Sequence, residues 1–214
     1  VPITEAFIRE LPKVELHVHL EGTIKPDRIE ELSTRLSENP PRPVDQLFAV
    51  DNLADFLATL DWVCGLVRDP LSAEVIAYDF AQYANSQNIV YAEVIANPTH
   101  WSGIDAYSLL RSFAKGFDRA ERAGLGDFRL LPSLLRQQSA EQALGLVRWI
   151  IEEGNPRIVG LSIDGNEAES GPTSDRFAEA FRLAGSVGLG RTAHAGESSG
   201  PEGVRDAIEV LGVS

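Results

Sequence analysis

The chain has 214 residues, 43% of them hydrophobic, enough for one sizeable core, so a single domain over 1–214 is expected. A formal net charge of −13, from 32 acidic and 19 basic residues, disfavours a nucleic-acid groove or an anionic membrane surface as partner. No apolar run nears the roughly 18 residues of a spanning helix. The first twenty residues carry Glu5, Arg9, Glu10 and Lys13 in place of a signal-peptide core, and the lone Cys64 cannot close an intrachain disulfide, so a cytoplasmic setting is expected.

The hydrophobic pattern predicts a β/α alternation. A strand is expected near 14–20, then a helix near 26–37 with Pro26 in its first turn. Ser37 to Val44, with Asn39-Pro40-Pro41-Arg42-Pro43, reads as a loop between helices, because such a proline cluster cannot sit inside one. Helices follow near 51–67, with Leu53, Phe56, Leu57 and Leu60 at helical spacing, and near 71–87. A strand at 89–96, a helix near 104–123 and a strand near 127–135 come next. Ser139 is an N-cap candidate for a helix to about 153, with Glu141 and Gln142 in its first turn. A strand at 158–163, a helix near 174–187, a strand at 191–195 and a helix from Pro201 to about 211 complete the pattern.

Strands recurring every thirty to forty residues, each followed by a helix, fit βαβ units and a parallel sheet. An open doubly wound sheet predicts a Gly-rich turn after its first strand, whereas Leu20-Glu21-Gly22-Thr23 stands there. In a closed barrel, functional residues gather at the C-terminal ends of strands. His19, Asn97, Asp164 and His194 all fall at such ends, so a TIM-type (β/α)8 barrel is predicted, with about five βα units in this chain. The remaining units are expected to lie outside these 214 residues.

The chemistry concentrates in the histidines. His17 and His19 are two residues apart on a strand, hence on one face. Converging imidazoles suit a divalent metal, and His194 adds a third. Three protein ligands and an open position describe catalytic zinc. Glu197, three residues after His194, reads either as a general acid or base or as a helix-start acid near Pro201. Asp164 reads equally as an exposed turn former or a site residue. His100 reads as a hydrogen-bonded or solvated loop histidine more readily than a pocket residue. Glu93, inside an apolar strand, requires a partner; it reads as a structural mate of Arg136 or Arg191, or as support for the metal ligands. Cys64 reads as a small buried hydrophobe.

Leu11 to Pro26 and Arg191 to Glu197 closely resemble the two signatures of the adenosine deaminase family. Tyr91 to Val94 and Leu161 to Glu167 occupy the order and spacing that family shows. The resemblance implies a zinc-bearing barrel, one Zn2+ per site, that hydrolyses the 6-amino group of a purine to the 6-oxo product and ammonia. By that likeness His17, His19 and His194 ligate the metal, and Glu197 hands a proton to ring N1. The Gly165 amide contacts purine N3, and His19 and Glu21 border the substrate. Adenosine is the first substrate implied. His19-Leu20-Glu21-Gly22 departs from the His-Leu-Asp-Gly of adenosine-specific members and resembles the adenine-specific branch, so adenine is the alternative. A non-catalytic binding barrel is the reading from another class. The family's water-orienting histidine and late aspartate have no counterpart in 1–214, so these residues alone are expected to be inactive or weakly metal-binding. The partner expected is a small-molecule purine, with no nucleic acid and no membrane; oligomeric state stays open.

Overall fold

Parallel strands alternating with helices make up the structure, a computed structural model that describes residues 3–170 and 174–213, apart from the side chains of 53, 54 and 174. The described residues form two compact units, 1–129 and 130–214, with the boundary inside the third strand.

The first unit begins with α1 (Glu5–Glu10), which the sequence reading does not anticipate. It is capped by the Thr4 side chain, which accepts from Phe7 N, and braced by an Arg9–Glu5 ion pair at 2.7 Å. It buries no residue, so it lacks the apolar stripe by which a helix is read. Strand β1 (Lys13–His19) pairs in parallel with β2 (Ile89–Ala96). Between them lie α2 (Pro26–Leu36), α3 (Leu53–Gly65) and α4 (Pro70–Ser86). Pro26 and Pro70 open their helices, where a missing N–H costs nothing. The predicted loop after α2 is present. It ends in a short turn at Val44–Gln46, and Arg42 ties it to Asp55 at 2.6 Å. On α3, Leu60 is buried and Phe56 and Leu57 are half-buried; the Leu53 side chain lies outside the described residues. Helix α5 (Ala106–Arg122) packs on α4. Phe80 and Phe117 from these helices meet Phe128, with ring centroids 5.9 and 5.6 Å from it.

The second unit carries most of β3 (Asp127–Leu135), then α6 (Ala140–Glu153), β4 (Gly160–Asp164), α7 (Glu167–Ser170), α8 (Ser174–Ser186), β5 (Gly190–Arg191) and α9 (Pro201–Asp206). Strands β3 and β4 are parallel, as are β4 and β5. All five residues of β4 are buried, as both-sided burial of a parallel strand requires. Ser139 and Gln142 form a reciprocal capping box on α6. The strand predicted at 191–195 is reduced to two ladder residues. The chain nevertheless stays bonded to β4 through Thr192 N to Leu161 O and His194 N to Ile163 O, so His194 is still delivered at a strand end. The predicted helix to 211 is α9, followed by one wider π turn at Ala207–Leu211. No helix among the described residues is long and apolar enough to cross a membrane.

Candidate active site

In the first unit, period-2 alternation on β1 places His17 and His19 side by side, with ring centroids 5.2 Å apart. His19 is the last residue of β1, and a 3-10 turn at Leu20–Thr23 follows at once. That turn drives Glu21 inward until it is 1% exposed. Its Oε1 accepts from the backbone N–H of Asn97 at 2.6 Å and from the indole N–H of Trp101 at 3.0 Å. Both donors come from the segment just after β2. Its Oε2 has no hydrogen-bond partner among the described residues and lies 4.0 Å from His19 Nδ1. Burial pushes the Glu21 carboxyl up to about 7, against hydrogen bonds from its own backbone, Trp101 and Asn97 and the charge of His100. His100 is bonded through Nδ1 to Asp61 at 2.6 Å, so it is a hydrogen-bonded and not a solvated histidine. Glu93 accepts from Tyr91 Oη at 2.9 Å, and burial together with that carboxylate holds the phenol up at about 12. Cys64 is fully buried, and desolvation raises its thiol well above the ordinary range.

In the second unit, His194 Nδ1 meets Glu197 Oε1 at 2.9 Å. With Glu197 ionised, Nδ1 is the donor in this bond and Nε2 is the ring nitrogen left with a lone pair. Glu197 is thus engaged with a histidine ring, more than its helix-start reading needs, while its side chain remains 61% exposed. Asp164 is 7% exposed, which overturns the reading of it as an exposed turn former; its carbonyl accepts from Arg136 N at 3.0 Å. Gly165 follows at φ +99°, and a Cβ there would sit 3.1 Å from Leu135 Cδ1 and 3.3 Å from Arg136 N. Conformation and crowding both call for glycine.

Sequence reasoning missed two participants. Trp101, adjacent to His100 in the same post-strand segment, carries the indole N–H that reaches Glu21; an aromatic residue just past a strand end is the available signal. Glu167, 7% exposed, accepts from the loop after His194 and from Arg136, which also donates to the His194 carbonyl. No short-range pattern marks it. Imidazole nitrogens are ligands that zinc accepts, and β1 offers two of them on one strand face.

The family model for adenosine deaminase matches residues 12–214. The chain belongs to the adenosine deaminase family. An adenine deaminase from Rhodospirillum rubrum is 31% identical over 99% of this chain and 64% of its own length. One from Vibrio parahaemolyticus is 28% identical over 98% of this chain and 63% of its own. The chain therefore spans less than two thirds of the length of these relatives. Among solved structures, an amidohydrolase from Burkholderia ambifaria with bound Zn is 30% identical, with TM-score 0.87 over all of this chain and 61% of its own. An adenine deaminase from Arthrobacter aurescens, at 23% identity and TM-score 0.84, shares the fold over 94% of this chain and 63% of its own. The family resemblance and the α/β class, five parallel strands of a TIM-type barrel, are both borne out.

Proposed function

We propose that the whole protein deaminates a free 6-aminopurine, adenine, to the 6-oxo base and ammonia. The observation that carries adenine over adenosine is the Glu21 carboxylate. It is the longer acid at this position, buried, and locked by Asn97 and Trp101 so that it fills space beside His19. The names of the relatives support the same choice.

In this reading His17, His19 and His194 hold the zinc. Zinc, when bound, lowers the pKa of a water from about 15.7 toward 7 and so makes a nucleophile available at neutral pH. The rest falls to the chain. Glu197 delivers a proton to ring N1, which makes C6 electrophilic. The Gly165 amide, with no side chain in the way, approaches purine N3. Glu21 closes the end of the pocket where a sugar would extend.

The test is turnover by the intact zinc-loaded protein, followed as loss of purine absorbance at about 265 nm, with adenine, adenosine and aminodeoxyfutalosine as substrates. The last is included because a relative from Acidothermus cellulolyticus, 30% identical over 98% of this chain, is named for it. Adenine is expected to exceed both nucleosides in kcat/KM by more than about 100-fold, the discrimination a shaped pocket supplies. A nucleoside preferred over adenine would overturn the adenine reading, and no turnover of any of the three would overturn deamination.

A further inference from the structure

We propose that Glu167, together with Arg136, is the positioning pair that holds residues 194–199 and thereby sets His194 and Glu197. What those two residues do rests on the function proposed above; that they are held is argued from geometry within the second unit.

Glu167 uses every side of its carboxylate. Oε1 accepts from Gly196 N at 3.1 Å, Ser199 Oγ at 3.0 Å and Arg136 Nη2 at 3.4 Å. Oε2 accepts from Ser198 N at 3.1 Å and Ser199 N at 3.3 Å. The amides on both sides of Glu197 are therefore pinned to one buried anion. Arg136, 6% exposed, donates from the same Nη2 to the carbonyl of His194. Arg136 is itself fixed, its backbone N–H on Asp164 O at 3.0 Å and its carbonyl accepting from Arg176 Nη1 at 2.9 Å. One ion pair thus grips the segment at 194, 196, 198 and 199, and leaves the Glu197 side chain to reach back to the His194 ring at 2.9 Å.

A buried carboxylate normally opposes ionisation. Here desolvation is outweighed by the N–H donors of Ser198, Gly196 and Ser199 and the Ser199 hydroxyl, and the carboxyl falls to about 2. The anion is thus present at every pH at which an enzyme of this kind works. A glutamine would keep the size but turn one acceptor into an NH2 facing backbone N–H groups, which is repulsive.

The experiment compares wild type, Glu167→Gln and Glu167→Asp in the intact protein, with two readouts. The first is amide hydrogen exchange of Gly196, Ser198 and Ser199 without metal. The second is kcat and KM for adenine per zinc-loaded site. In Glu167→Gln, exchange at these amides is expected to quicken at least 10-fold while that of α6 is unchanged. Its kcat should fall by about 10–100-fold, the range for groups that orient a metal ligand, with KM nearly constant. Glu167→Asp, which keeps the charge, should recover part of both; if the glutamine variant does not fold, this variant is read in the same two ways. Unchanged exchange would overturn the proposal. So would an unchanged kcat per zinc-loaded site, the result of a purely structural role. If wild type turns over no adenine, the function proposed above fails, and the exchange result alone decides whether Glu167 holds the segment.

Discussion

A glutamate in water titrates near 4.5, whereas Glu167 in the folded chain is held near 2. The folded state therefore binds this proton less readily than the unfolded state. The resulting stabilisation is fully present above about pH 5 and is lost as pH falls through 4.5 toward 2, on the order of 3 kcal/mol at neutral pH. Urea unfolding of wild type and Glu167→Gln as a function of pH checks this. The gap between the two should be constant above pH 5 and shrink below it; a gap that does not vary down to pH 2.5 contradicts the assignment. The two kinds of residue information differ in how far apart they lie in sequence. His17 and His19 are legible because a period of two puts both on one strand face. Glu167 is not, since its partners Arg136 and Gly196 to Ser199 lie about thirty residues away on either side and no local spacing encodes them. Asp164 was open for the same reason: burial at a strand end depends on what packs over it.

Elements were read from local chemistry wherever local chemistry decides them. Ser139 and Gln142 announce the start of α6, and Pro26 and Pro201 those of α2 and α9. Helix α1 escaped because it buries nothing, and β5 is shorter than its apolar run because only two of its residues meet ladder geometry with β4. The packing of one helix on another was not readable at all. Gly116 on α5 shows why: a Cβ there would collide with the Glu74 carbonyl and lie 2.7 Å from Ala77 Cβ on α4. Gly116→Ala raises intrinsic helix propensity yet should destabilise by about 1–3 kcal/mol through overpacking. Chemical denaturation measures it, and a stabilised variant would show that α4 and α5 separate easily.

For the molecule as a whole, zinc is the quantity to follow. If His17, His19 and His194 serve one ion, the intact protein holds one zinc per chain, and alanine at any of the three removes it. Binding to the folded state alone adds about 2.7 kcal/mol of stability when free metal is 100-fold above Kd. Chelation should therefore lower the melting temperature of wild type and leave that of His19→Ala unchanged. An equal effect of chelator on both would place the metal elsewhere. The sequence by itself determined the alternation of strands and helices, the shared strand face of His17 and His19 and the family, because each is written in spacings of two to four residues or in contiguous signatures. Only the tertiary structure decided that Glu21 is buried under Trp101 and Asn97 and that Glu167 and Arg136 grip the segment behind His194. Those contacts join residues some thirty to eighty positions apart, and burial and hydrogen-bond partnership exist only once the chain has brought such residues together.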